Sequence, residues 1–391
     1  MFRVCKKLGG MLGSMNFFRV EKNAALVLLI AAGLGLAVAN LGGFLAIDAI
    51  KSWTPYAMPI NLTFEGWIYN FGLPAFFFLV GLELKRELVG GALSPIRRAI
   101  VPLLAAILGV CIPALVYISV TGMNTDAAAG WAIPTATDVT FALAVFVVFG
   151  KALPQSARSF LLAYAVIDDV IAVLIVSALF TAGFSLLGLL YVVIALVAYR
   201  LVHRSALLQS VRGLWIAWHV LIAFGALYAA LSNGFQPTLV GLALGLLISA
   251  EHTERVQTAL HPWVAFGVLP VFAFMAAGVT LGNVGVAISS TVFLAVLLRP
   301  LGKFLGIWLG AELGKRIAGG ENQLTTGQII PVAALGGIGF TVALLVTKYT
   351  FTLDPQSESA AILATLAATA ISAVIGALLL RSHRSKTANR A

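Results

Sequence analysis

Apolar residues fill this chain in long blocks rather than in alternation. A helix needs about 20 apolar residues to cross a hydrocarbon core. Blocks of roughly that length occupy residues 24–46, 64–82, 99–120, 131–149, 159–180, 184–199, 213–231, 236–250, 262–281, 285–310, 329–346 and 360–380. They are apolar on every side and lack the two-residue period of a transmembrane β-barrel strand. About twelve transmembrane helices are therefore predicted, with connections too short to hold a soluble domain. The expected architecture is all-α and polytopic: one membrane domain over 24–380, with basic tails at 1–23 and 381–391.

Composition closes off the other classes. The chain is 60% hydrophobic and 10% charged, where a soluble domain is about 25% charged. Cys5 and Cys111 are the only cysteines. One lies in the basic tail and one in mid-span, so a disulfide-stapled secreted domain is excluded. Arg3, Lys6, Lys7, Arg19 and Lys22 precede an apolar segment too long for a signal-peptide core, which reads as a cytoplasmic tail.

The net charge of +10 invites a nucleic-acid reading, but its distribution points to topology instead. With the N-terminal tail inside, Lys85, Arg86, Arg97, Arg98, Lys151, Arg158, Arg200, Arg204, Arg212, Arg255, Lys315, Arg316 and the C-terminal basic residues also fall inside. Only Lys51 and Lys348 fall outside. One miscounted helix would flip every later loop and destroy this asymmetry. An even number of crossings follows, with both termini cytoplasmic, lipid as the surroundings and no nucleic-acid partner.

Two blocks are interrupted. The fourth reads WAIPTATDVTFALAVF, where Pro134 removes a backbone donor just before Thr135, Thr137 and Asp138. The eleventh reads VAALGGIGFTVALL, and Gly336, Gly337 and Gly339 make a poor helix interior. Either alone reads equally well as a kink or a close-packing point. Together they occupy the middle of segments three to five and of segments ten to twelve, which run in opposite directions. That correspondence predicts an inverted repeat with a substrate site at mid-membrane.

Of the 15 acidic residues, three lie deep: Asp138, Asp168 and Asp169. A charge at mid-bilayer costs about 2.5–3.5 kcal/mol on insertion scales, so these must face protein or water and must have partners. Asp168 and Asp169 are consecutive in LLAYAVIDDVIAVLIV and project about 100° apart on a helix. They can still line one cavity, exchange protons, and offer hard oxygen ligands to a small cation, with Thr137 and Asp138 adding oxygens. The bland alternative is a buried acid–base cluster that only pins helices. Arg299 and Lys303 are one turn apart in the tenth block. Arg299 is closer to mid-span and is the expected partner of a deep aspartate, while Lys303 is placed to snorkel toward the cytoplasm. Broken helices also leave half-helix ends in the membrane. Asp138 is suited to balance facing N-termini, and Arg299 facing C-termini.

With these residues in place, FFFLVGLELKREL (76–88), WAIPTATDVTFAL (131–143), AVIDDV (165–170), LHPWV (260–264), LPVFAF (269–274), LLRPLG (297–302) and GGIGFTVALL (336–345) resemble the NhaA-type sodium/proton antiporters. The likeness runs from about Phe64 to the last span, in family order. This family is itself one of the cases behind the inverted-repeat rule. The resemblance implies twelve helices with two broken, crossed segments. It implies efflux of Na⁺ or Li⁺ driven by proton entry, electrogenic because more protons than sodium ions move per cycle, in a bacterial cytoplasmic (inner) membrane. The ions and protons would be transported substrates, no cofactor is expected, and a homodimer is left open.

By the same resemblance, Asp169 matches the main cation- and proton-binding aspartate, and Na⁺ would sit at Asp168 and Asp169. Asp168 matches the neighbour that pairs in the family with a lysine of the tenth helix. Thr137 and Asp138 match the broken-helix residues near the site, and Glu83 and Arg86 match a cytoplasmic cluster tied to pH response, beside His261. The sequence departs from that pattern at three places. Arg299 stands where the family has the lysine, and arginine does not release its proton in proteins. If the lysine's amine carries a proton in relatives, Lys303 or the two aspartates must do so here. Gln257 and Thr258 replace a Glu–His pair, and Gln236 stands in place of a histidine. Two rival readings are another cation-coupled transporter on the same fold and an intramembrane aspartyl protease using Asp138 and Asp168. The second lacks a G-x-G-D context, since Val166 and Ile167 precede Asp168.

Overall fold

The computed structural model describes residues 23–55, 60–91, 93–94, 96–181, 185–204, 212–280, 284–319 and 324–388. Residues 1–22 and 389–391 of the expected basic tails lie outside the described residues. Residues 381–388 continue the last helix.

The helices, in chain order, are α1 (Asn23–Ser52), α2 (Phe64–Gly90), α3 (Ile96–Thr121), the 3-10 segment α4 (Asp126–Thr135), α5 (Val139–Phe149), α6 (Gln155–Phe180), α7 (Leu186–Arg204) and α8 (Arg212–Ser232). They continue with α9 (Pro237–Leu247), α10 (Ala250–Ala277), α11 (Val284–Ser289), α12 (Thr291–Ile317), α13 (Thr326–Leu335), α14 (Thr341–Thr350) and α15 (Pro355–Ala388). Among the described residues, nine helices are long and apolar enough to cross a membrane. The pair α4 and α5, bent by 43°, brings the number to ten when it is counted as one span. The two remaining predicted blocks correspond to α9, only 11 residues long, and to the interrupted pair α13 and α14. The protein is therefore an integral membrane protein.

Two boundaries differ from the hydropathy reading for physical reasons. α10 starts at Ala250, earlier than 262, because its first turns are polar and hydropathy does not count them. α12 starts at Thr291, later than 285, because the Ser290 side chain caps the new helix by accepting from the Phe293 N–H.

The chain divides into two compact units. The first comprises Met1–Ala31, Arg97–Asp168 and Leu281–Ala391, so it brings together segments three and four, the first part of segment five, and segments ten to twelve. Within it, α4 packs on α14 and α5 on α13, so each half of one interrupted segment meets the opposite half of the other. α13 and the start of α12 lie on α15. α12 approaches α3 along a row of glycines four residues apart. A methyl group on Gly302, Gly306, Gly310 or Gly314 would strike the α3 backbone at Pro113, Leu108, Leu104 or Val101 in turn. The partner numbers fall as the glycine numbers rise, so the two helices are antiparallel. Small residues at this spacing allow close backbone approach without a hydrophobic driving force between helices.

The second unit comprises Ala32–Ile96 and Asp169–Thr280. α2 packs on α9 and α7 on α8. At the junction of α9 and α10, the Ser249 N–H donates to His203 Nε2 at 3.0 Å. A cavity of about 830 Å³ lies among Phe71, Phe78, Trp215, His219, Phe224 and Trp263. None of the deep aspartates or their cationic neighbours lines it.

Candidate cation site at the crossing of two interrupted helices

Both interruptions arise locally from sequence. Pro134 lies in the 3-10 segment α4, and Ala136 to Asp138 leave helical geometry before α5 resumes at Val139. After α13, Gly336 to Phe340 form the second break. The breaks meet backbone to backbone. The Asp138 N–H donates to the Ile338 carbonyl at 2.7 Å, and Thr137 Oγ1 donates to the Gly336 carbonyl at 2.8 Å. A side chain at Gly339 would collide with the Ala136 carbonyl. That contact is the reason for glycine there.

Asp138 serves two helix starts. Its Oδ1 accepts from the Phe141 N–H at 3.3 Å, capping α5. Its Oδ2 accepts from Thr341 Oγ1 at 3.0 Å and from the Thr341 N–H at 3.4 Å, at the start of α14. The Asp138 carboxylate thus accepts from donors at the positive starts of two helices.

Asp168 accepts from both sides of the site. The Thr137 N–H reaches Oδ2 at 2.9 Å. Lys303 Nζ lies 2.7 Å from Oδ1 and 2.8 Å from Oδ2. Lysine and aspartate are 0% and 1% exposed at their side chains, so water does not screen the pair. The sequence expectation is corrected here. Lys303 does not snorkel; it is the ion-pair partner of Asp168. Arg299 bonds to oxygens of the backbone and of a threonine. Nε donates to the Gly337 carbonyl at 3.0 Å, and Nη2 to the Thr365 carbonyl at 3.2 Å and Thr369 Oγ1 at 2.8 Å. Asp138 is the carboxylate whose charge acts on it. The cause of the exchange lies in rotation and reach. Both cations share one face of α12, and the one that lies opposite Asp168 is set by packing, which depth along the segment does not reveal.

Asp169 follows Asp168 on α6 and is 2% exposed. Among the described residues, no group of three or more His, Cys, Asp or Glu side chains has the geometry of a metal-ion site.

The residues expected to serve the pH response lie in the second unit. Gln257 Nε2 donates to Glu83 Oε1 at 3.2 Å, and its Oε1 accepts from Arg86 Nη1 at 3.3 Å. Gln257 thus bridges the acid and the guanidinium. His261 lies one turn further along α10.

Sequence reading missed three threonines: Thr341, Thr365 and Thr369. The Thr341 hydroxyl holds Asp138, while the Thr369 hydroxyl and the main-chain carbonyl of Thr365 hold Arg299. Thr365, Thr369 and Ser372 recur at helical spacing in an otherwise apolar α15 and are all buried. That polar stripe was the available signal. The dyad expected of an aspartyl protease is not formed by these contacts, since Asp138 and Asp168 are each engaged with helix starts or with Lys303.

A many-helix membrane domain with two interrupted segments crossing beside buried carboxylates is the arrangement of a membrane transporter. Residues 15–380 match the model of the family described as Na⁺/H⁺ antiporter 1. The chain belongs to that family, whose members are transporters and not enzymes.

The Na(+)/H(+) antiporter NhaA 2 of Clavibacter michiganensis subsp. michiganensis is 38% identical over 387 residues, covering 96% of this chain and 93% of the relative. The Na(+)/H(+) antiporter NhaA of Aliivibrio salmonicida is 35% identical over 397 residues, covering 95% and 98%. Among solved structures, the sodium proton antiporter MjNhaP1 from Methanocaldococcus jannaschii, at pH 8, aligns with a TM-score of 0.58 over 96% of this chain and 99% of that one. At 16% identity this likeness speaks for the fold.

Proposed function

We propose that the protein exchanges cytoplasmic Na⁺ or Li⁺ for external H⁺ across the bacterial cytoplasmic membrane, with both termini on the cytoplasmic side. The family membership supports the reaction class, and the basic loops support the orientation. The observation that carries the mechanism is the buried Lys303–Asp168 pair at the crossing of the two breaks, with Asp169 next on the same helix.

An arriving cation must replace the charge that already neutralises Asp168. Na⁺ displaces the ammonium and any proton held on the two carboxylates, because the low-dielectric site cannot hold all the positive charges at once. On the other side of the membrane, protons return and the pair re-forms. Competition for the same oxygens couples the fluxes without ATP. With a lysine amine and two carboxylates as proton carriers, more than one proton can enter for each sodium ion that leaves, which makes the exchange electrogenic. Alternation between two accessibilities requires only that bound Na⁺ and bound H⁺ favour reorientation and that the empty, charged site does not.

Asp169→Asn removes the charge that a cation needs while keeping the side chain's shape. In everted vesicles this variant is expected to abolish the Na⁺-induced pH change while reaching the membrane at a normal level. Full exchange by the variant would refute the assignment.

A further inference from the structure

Arg299 and Lys303 lie one turn apart on α12, both buried, and only one of them is bonded to Asp168. The difference between them comes down to a hydroxyl on another helix. Thr369 Oγ1 donates its hydrogen to the Gly339 carbonyl at 2.8 Å. That leaves its lone pairs facing Arg299 Nη2, from which it accepts at 2.8 Å. The Thr365 carbonyl and the Gly337 carbonyl take two further guanidinium hydrogens. The guanidinium is thereby held by three oxygens belonging to α15 and to the second break.

We infer that Thr369 is a positioning residue for the exchange reaction: it anchors Arg299 on the carbonyls of the second break and of α15, and so reserves Asp168 for Lys303. This rests on the reading of Asp168 as an exchanging carboxylate. The chemistry explains why the reservation matters. A guanidinium stays charged in proteins and would give Asp168 a permanent counter-charge that a sodium ion must fight. An ammonium on a flexible stem can withdraw or lose its proton. Both cations rise from the same helix face, so holding one back is needed to let the other serve. Thr369 is 6% exposed and Thr365 is fully buried, so the hydroxyl acts where little water can replace it.

The inference is tested by exchange in proteoliposomes, reading the apparent KM for Na⁺ and the pH profile. Thr369→Ser keeps the hydroxyl and is expected to match the wild type. Thr369→Val keeps the shape and loses both the acceptor for Arg299 and the donor to the Gly339 carbonyl. It is expected to raise the apparent KM about tenfold, the scale of one lost hydrogen bond to a charged group, and to change the pH profile as the released guanidinium competes for Asp168. A Thr369→Val protein with the wild-type KM and profile overturns the inference. So does a Thr369→Ser protein as impaired as the valine variant.

Lys303→Gln, with Thr369 intact, is expected to alter the pH profile because Arg299 is not available to replace the amine. An unaltered profile also overturns it. A melting-temperature cycle needs no transport: the loss caused by Thr369→Val should be smaller in an Arg299→Met background, where only the bond to the Gly339 carbonyl is left to lose, and simple additivity contradicts the anchor. A wild type that exchanges no Na⁺ for H⁺ overturns the transport reading and with it the role at Asp168, while the cycle still reads the anchor itself.

Discussion

A lysine and an aspartate at 0% and 1% exposure bind each other because neither has water as an alternative. Such a pair stabilises little relative to an apolar pair of the same shape, yet breaking it by removing one partner costs about 3–5 kcal/mol. Lys303→Met is therefore expected to lower the melting temperature of the purified protein. Adding Asp168→Asn should recover most of the loss, because the uncompensated charge is then gone. Losses that simply add would contradict the pairing. The three deep aspartates were legible in the sequence, because hydropathy alone shows a charge inside an apolar block. Their partners were less so. Depth along a segment favoured Arg299, and only the packed structure shows that Lys303 faces Asp168 while Arg299 turns to Gly337, Thr365 and Thr369.

At the scale of elements, the two breaks were readable from Pro134 and from the three glycines, because each disables helical hydrogen bonding locally. Their crossing was expected only from the family resemblance, and the Asp138–Ile338 bond joins the two breaks. The start of α10 was not readable, because its polar first turns carry no membrane signal. Neither was the partner of the α12 glycine row, since glycine spacing marks a close face without naming what lies against it. That row makes a separate prediction. Gly306→Ala places a methyl where the Leu108 carbonyl lies. Overpacking of this kind costs about 1–3 kcal/mol, so the variant should melt earlier than wild type. Because α12 also carries Arg299 and Lys303, it should exchange ions more slowly too. A variant as stable as wild type would mean that α12 and α3 are not held this closely.

For the whole molecule, composition decides the environment, and the distribution of basic residues supports the proposed orientation. The chemistry rests on a few buried side chains held by backbone breaks. The central claim is that a metal ion and protons compete for the same carboxylates. It is tested most directly by calorimetric titration of the purified protein with NaCl in two buffers of different ionisation enthalpy, which counts the protons released as sodium binds. The account predicts net proton release on Na⁺ binding in the wild type and loss of the binding signal in Asp169→Asn. Sodium binding to the wild type with no proton released would contradict it.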